Sequence, residues 1–246
     1  MAFRRDSATL QKGEIVSQPA GYGTGNLETG TEDLAVYYGN EFWRRENLKF
    51  AAPWYRLEKC ARLIDGVARG RPSTLLDVGC GPAALRTLMP QNVEYYGIDI
   101  AIQNPGPNLL EVDILDGPVR FGEKRFDIVI ASGVFEYLGE FQSQKLQEIS
   151  EIVKPGGTFI VSYTNFAHRA RRVYERLNNV QPIENFQRSV SEYFRVDQMF
   201  PSSHNWKHSQ PSRKIVREIN MHLNRNIPLI SRTLAVEYLF VCSPLQ

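Results

Sequence analysis

A chain of 246 residues that is 42% hydrophobic can bury one sizeable core, which suits one domain with a cap or insertions better than two small domains. With 29 Lys+Arg against 27 Asp+Glu, the net charge of +2 gives no basis for broad affinity toward nucleic acid or a membrane surface. The three cysteines, Cys60, Cys80 and Cys242, lie far apart, which argues against a disulfide framework or a zinc cluster and reads as reduced thiols. The N-terminal stretch MAFRRDSATLQKGE has no apolar core of a signal peptide, and no apolar run approaches the roughly 20 residues of a bilayer span. The expectation is a soluble cytoplasmic protein without a membrane partner.

Residues 1–30 are polar and punctuated by glycine, which reads as an arm. Its GYGTG follows no strand pattern and so makes a weak phosphate loop. From Thr31 to Arg69 the pattern is helical and aromatic, with Trp54, Leu57, Cys60, Ala61 and Ile64 at helical spacing. Residues 1–70 therefore form an arm and a helical cap, and residues 71–246 the core. In the core, short apolar runs alternate with helical stretches. TLLDV is a buried strand, and Pro82 to Met89 a helix with proline in its first turn. VEYYGIDI, NLLEVDI and RFDIVIAS supply the next three strands. Leu138 to Val153 is an amphipathic helix closed by KPGG, and TFIVSYT is the fifth strand. Residues 165–192 read as an insertion containing a basic helix, His168 to Asn178. Glu192 to Phe200 is a sixth strand, Ser212 to Leu223 a helix, and Ala235 to Cys242 the last strand. The alternation predicts an α/β fold, a mostly parallel sheet covered on both faces.

In such a sheet, ligands bind beyond the carboxyl ends of the strands, and the first strand-to-helix turn is the usual place. Here it is LLDVGCGPAAL. Gly79 and Gly81 let the backbone turn tightly and approach a ligand. GCGPAA can be read as the dinucleotide pattern G-x-G-x-x-A, a weak signal alone. Asp77, beside the turn, would repel a pyrophosphate and attract a cationic amine. A ligand with an ammonium, a carboxylate and a ribose but no phosphate is S-adenosylmethionine. Asp99 closes the second strand, where a carboxylate can accept both ribose hydroxyls; NAD sites use the same device. Asp113 can accept from an adenine amine while Ile114 packs on the ring, or it can serve a turn.

LLDVGCGPAAL, YYGIDI, LLEVDIL, RFDIVIASGVFEYL and LQEISEIVKPGGTFIVS resemble, in order and spacing, the successive motifs of class I S-adenosylmethionine-dependent methyltransferases. The resemblance covers roughly Thr74 to Thr164. It implies a three-layer sandwich around a seven-stranded sheet of order 3-2-1-4-5-7-6, with strand 7 antiparallel. It also implies cofactor contacts from Asp77, Gly79 and Gly81 at the methionine end and from Asp99 with Ile100 at the ribose. Asp113 with Ile114 would hold the adenine, and Ser132 would border the sulfonium. The third glycine common in the family loop is Ala83 here. The histidine many relatives carry in the fourth motif is Tyr137.

For chemistry at the methyl group, His204 in FPSSHNWKH follows the sixth strand and is the first candidate base; Tyr137 and His168 are the other catalytic candidates. His204 and His208 lie four apart, but no acid or cysteine nearby completes a set, so no metal is expected. Tyr22, Tyr37, Tyr38, Asn165 and Arg169 are candidate acceptor contacts. The leading expectation is methyl transfer, by in-line displacement, to oxygen or nitrogen of a small molecule, as in specialised metabolism, leaving S-adenosylhomocysteine. RNA- or protein-directed methylation is the alternative: the arginines of HRARRVYER favour it mildly, while ASGV in place of an Asn/Asp-Pro-Pro-Tyr motif and the small net charge argue against nucleic acid. An NAD-dependent oxidoreductase ranks lower, for the chain shows no Tyr-x-x-x-Lys pair.

Overall fold

Pro53 to Ala68 form helix α1, whose Leu57, Cys60, Ile64 and Ala68 recur every three or four residues and are buried. This is the helical stripe expected from the sequence. The structure, a computed structural model, describes residues 53–102, 105–165, 181–204, 221–227, 231 and 235–245. The expected aromatic cap around Tyr22, Tyr37 and Tyr38, and the basic helix with His168 and Arg169, lie outside the described residues.

The strands are β1 (Ser73–Val78), β2 (Val93–Asp99), β3 (Leu109–Glu111), β4 (Phe126–Ala131), β5 (Val153–Thr164), β6 (Phe194–His204) and β7 (Ala235–Pro244). They form one sheet in the order β3-β2-β1-β4-β5-β7-β6. β1 to β5 pair in parallel, and β7 runs antiparallel to both β5 and β6. Order and direction match the expectation. Because side chains alternate along a strand, Leu75 and Leu76 enter different cores. Leu75 joins Ile128, Ile130, Ile160 and Leu239 beneath α1. Leu76 joins Val129, Phe159, Val161 and Phe240 on the other face, beneath helices α2 (Gln142–Ile152) and α3 (Ile183–Ser191). Two helical layers thus enclose the sheet.

Local differences from the sequence reading trace to glycine and its neighbours. The helix expected from Pro82 to Met89 is a five-residue 3-10 turn, Ala84–Leu88. Gly79, Gly81 and Ala83 all have positive φ, which no right-handed helix accommodates, so winding starts only after Ala83. The helix expected from Leu138 begins at Gln142, after Gly139 at φ 52°. KPGG does not close that helix from outside the sheet but lies within β5. Phe126 pairs with Val153 and Ile128 with Thr158, so residues 154–157 bulge out of register. Lys154 Nζ, 2.9 Å from Asp127 Oδ2, holds the bulge against β4.

α3 falls where the sequence suggested only an insertion. Ile183, Phe186 and Val190 are its buried stripe. The Phe186 ring stacks on Tyr163 at 3.9 Å between centroids and meets Phe135 and Phe240 edge-on at 5.5 and 5.6 Å. Phe186→Ala should therefore destabilise the fold by about 3–5 kcal/mol, measured by denaturant unfolding.

Candidate active site at the carboxyl ends of the strands

The parallel strands β1, β2, β4 and β5 deliver Asp77, Asp99, Ser132 and Thr164 to one end of the sheet. β7 runs the other way, so its first turns arrive there too, with Glu237 opposite Thr164. β6 ends there at His204, which pairs with Ala235; the His204 side chain lies outside the described residues.

Asp77 is 3% exposed, and Tyr95 Oη from β2 donates to its Oδ2 at 2.6 Å. Burial pushes the Asp77 carboxyl up to about 7; the Tyr95 bond and the more distant Arg56 oppose this, while Asp99 adds to it. Among the described residues Asp77 has no ion-pair partner. The loop after it folds onto β2: the Gly79 and Cys80 N–H groups donate to Ile98 O at 2.8 and 3.1 Å. Gly79, at φ 71°, is confined to glycine by space as well, since a Cβ would lie 2.3 Å from Val134 Cγ2. Gly81 N–H donates to Asp99 Oδ2 at 2.7 Å, and Ala101 N–H to Oδ1 at 3.1 Å. Burial raises the Asp99 carboxyl above its ordinary range, against the pull of these N–H bonds. Ile100 follows in a bend and is half-buried. Ala83, where the family loop often has glycine, takes the same left-handed conformation, φ 55° and ψ 35°.

Asp113 Oδ1 accepts from Leu115 N–H at 2.9 Å and so shapes its own turn, while Ile114 packs against the α2 face of the core. Asn165 is buried and donates its side-chain amide to Ala235 O at 3.0 Å. Tyr137 ends a short 3-10 turn, Phe135–Tyr137, that carries the chain past the end of β4.

A second polar cluster was not expected. Arg56 of α1 reaches the end of the sheet, where Nη1 donates to Glu237 Oε1 at 3.1 Å and Nη2 to Ser132 O at 3.4 Å. Burial alone would lower the Arg56 pKa; the carboxylates of Glu237 and Glu136 outweigh it and raise the pKa. Ser202 of β6 donates to Glu237 Oε2 at 2.6 Å. Glu136 is buried, and its Oε1 accepts from Thr164 N–H and Oγ1, both at 2.8 Å. Burial, reinforced by Glu237, pushes the Glu136 carboxyl up to about 7. Cys60 Sγ approaches Ser132 Oγ at 3.9 Å, and burial pushes its thiol up to about 12. The available signals were lone charges in apolar runs: Glu136 in VFEYL, Glu237 in AVEYLFV and Arg56 in PWYRL.

Residues 52–214, about two thirds of the chain, match a family model described as a methyltransferase domain. The chain belongs to the class I S-adenosylmethionine-dependent methyltransferases. The methyltransferase is also similar in structure to N-methyltransferase NodS from Bradyrhizobium japonicum WM9 in complex with S-adenosylhomocysteine. That likeness has 14% identity and a TM-score of 0.56, and covers 87% of this chain and 98% of that one. The CcbJ methyltransferase from Streptomyces caelestis matches at 12% identity and TM-score 0.56, over 78% of this chain and 90% of that one. A TehB-like S-adenosylmethionine-dependent methyltransferase from Corynebacterium glutamicum matches at 18% identity and TM-score 0.52, over 76% and 88%. At such identities these are likenesses of fold. No curated protein matches the sequence significantly.

The donor set of the methyltransferase fits its cofactor: a buried carboxylate at β1 with no cation beside it among the described residues, a second carboxylate at β2, and left-handed glycines between them. Among the described residues, no group of three or more His, Cys, Asp or Glu side chains could hold a metal ion. Nor is any described helix long and apolar enough to cross a membrane. A cleft lined by Arg71, Ser73, Asp127 and Gly156 opens at the opposite end of β1 and β4, away from these residues.

Two outcomes follow from the loop. Replacing Ala83 by glycine relieves a left-handed alanine and should stabilise the fold by about 1 kcal/mol in denaturant unfolding. Asp77 keeps a proton in the folded chain that an unfolded aspartate, with a pKa of about 3.9, releases. Its contribution to stability is complete below pH ~4 and is lost as pH rises through about 7. Between those limits Asp77→Asn should gain on wild type by up to about 1.4 kcal/mol per pH unit, read from unfolding curves along a pH series.

Proposed function

We propose that the enzyme transfers the methyl group of S-adenosylmethionine to an oxygen or nitrogen of a small-molecule acceptor, as in specialised metabolism, and that it works in the cytoplasm. The observation that carries the cofactor half is the pairing of Asp77 and Asp99 across the left-handed glycine loop. In this reading Asp77 holds the ligand's ammonium, with Tyr95 orienting the carboxylate from behind. Gly79 and Gly81 keep the loop backbone open to the methionine end. Asp99 already spends one bond per oxygen on the loop, and each oxygen retains capacity to accept a ribose hydroxyl. Asp113 has Oδ2 left for the adenine amine, beside Ile114. Ser132 borders the reacting carbon.

The bound cofactor supplies a methyl carbon already electrophilic on sulfur. The protein must align a nucleophile behind it and exclude water. Such alignment is worth roughly 7–11 kcal/mol of barrier. The acceptor would lie beyond the ends of β4, β5 and β7, over Ser132, Thr164 and Glu237. Tyr137 and Asn165 flank that region, and the end of β6 brings His204 to its margin.

Calorimetry tests the reading. S-adenosylmethionine and S-adenosylhomocysteine should bind, and NAD should not. Asp99→Ala should weaken both adenosyl ligands by roughly 10–100-fold, the value of one or more charge-assisted hydrogen bonds. An ammonium beside Asp77 would return its carboxyl toward the ordinary range. Binding near pH 6.5 should therefore release protons, measured as a dependence of the heat on buffer ionisation, and Asp77→Asn should release fewer. NAD binding without adenosyl binding would overturn the proposal.

A further inference from the structure

Among the described residues, two buried polar atoms of this cluster have no hydrogen-bond partner: Glu136 Oε2 and Arg56 Nε. Glu136 is 3% exposed, and its other oxygen is committed to Thr164. The other Arg56 nitrogens face Glu237 and Ser132 O. As a carboxylate, Glu136 Oε2 can only accept, and Arg56 Nε–H can only donate. Leaving either unmet in a buried place is costly. The two belong to one electrostatic cluster, in which Arg56 also acts on Asp77 of the cofactor loop.

The chemistry of these two atoms narrows what can satisfy both. An ammonium has no lone pair for Arg56 and is repelled by it. A neutral amine has a single lone pair; given to Arg56, none remains to attack a methyl group. A carboxylate or phosphate has no proton for Glu136 and is repelled by it. A hydroxyl has one proton to donate and two lone pairs, one for Arg56 and one for attack.

We propose that Glu136 and Arg56 are the acceptor-binding pair of this enzyme, that the group they hold is a hydroxyl, and that Glu136 Oε2 takes its proton. This rests on the small-molecule reading above and narrows its choice of oxygen or nitrogen to oxygen. In the reaction the acceptor oxygen bonds the methyl carbon with a free lone pair. The carbon–sulfur bond breaks and leaves its electron pair on sulfur as a thioether. The O–H proton passes to Glu136, which becomes a neutral acid and later loses the proton to solvent. A carboxyl that titrates near neutral pH suits that duty. Glu136 is then a catalytic residue, and Glu237 with Ser202 positions Arg56.

The test uses the full chain saturated with S-adenosylhomocysteine. Phenol and cyclohexanol are titrated against their shape-matched amines, aniline and cyclohexylamine, and against toluene, by ligand-observed NMR. The hydroxyl probes should bind about tenfold tighter than the amines and toluene. That advantage should vanish in Glu136→Gln, which keeps an acceptor for Thr164, and in Arg56→Lys, which keeps a cation for Glu237 but removes Nε. Both variants are checked for an unchanged melting transition; if one does not fold, the other decides. Equal or absent binding of hydroxyl and amine probes to the wild type overturns the proposal. So does a hydroxyl advantage that survives in a folded variant, since the two atoms would then hold only a bridging water. Failure of S-adenosylhomocysteine itself to bind would strike the cofactor reading instead, and is seen before any probe is added.

Discussion

One half-buried guanidinium ties the helical layer to the working end of the sheet. Arg56 lies on α1, yet its partners are Ser132 at the exit of β4 and Glu237 at the entry of β7, 181 residues away in the chain. Without it, Glu237 and Glu136 would face each other in a low-dielectric setting, where like charges are least tolerable. The backbone has adapted to it. Gly133 sits at φ 75°, and a Cβ there would lie 2.6 Å from Arg56 Nη2. Ser202 anchors the far carboxylate oxygen of Glu237, so β6 is drawn into the same arrangement. Lys59, one turn further along α1, repeats the pattern by donating to Pro201 O and Leu223 O at 3.0 and 3.1 Å. Polar tethers thus fix where α1 sits over the sheet, while the apolar stripe beneath it supplies the burial.

The other half of the working end is held in electrostatic tension. Asp77 and Asp99 close adjacent parallel strands, and each is raised above its ordinary range, mainly by burial. Tyr95 and the N–H groups of the loop relieve part of the cost without removing it. A carboxylate kept buried without a cation destabilises the free protein and favours any ligand that brings one. The loop geometry works in the same direction. Its N–H groups point back to Ile98 O and Asp99, so they cannot gather around a phosphate, and the short 3-10 turn after Ala83 offers no long helix end to an anion. Both features separate this site from a pyrophosphate cradle built on the same fold.

The strands were legible because each central one is a short apolar run ending in a marker: Asp77 after LL, Asp99 after YYGI, Ser132 after IVIA. The parallel arrangement followed from the strand–helix alternation, and the strand order with its antiparallel β7 from the resemblance. Local backbone was less legible, since three left-handed residues in six positions defeat a helix that proline and alanine would otherwise suggest. Ala83 is the clearest instance, for nothing in alanine's own preferences announces φ 55°. The strand-end carboxylates Asp77 and Asp99 could be singled out because they sit close in sequence to glycine. Arg56, Glu136 and Glu237 showed only as lone charges in apolar runs and Ser202 gave no signal, because their partnership exists only after α1, β4, β6 and β7 converge. Tyr95 was hidden differently: in VEYYGID its ring faces the α1 side of the sheet while that of Tyr96 faces the other, and only the former reaches Asp77.

The topology gives these two charge arrangements separate places and one connection. Strand order reverses between β1 and β4, with the Asp77–Asp99 loop on one side and the Glu136–Glu237 pair on the other. Arg56 is felt by both Asp77 and Glu136 across that divide. In the proposed reaction, methyl transfer from a sulfonium to a hydroxyl removes a positive charge on one side. Taking the hydroxyl proton onto Glu136, as proposed, removes a negative charge on the other. The sum is unchanged, but two separated charges have been cancelled inside a poorly solvated space, where holding them apart was most costly. Arg56 keeps its charge throughout and leaves Glu237 paired. A base of opposite type, a neutral histidine that becomes cationic, would merely exchange one buried positive charge for another beside that guanidinium. Under that proposal, an acid after FV, rather than a histidine in the position held by Tyr137, gives the transfer a fall in buried charge as part of its driving force.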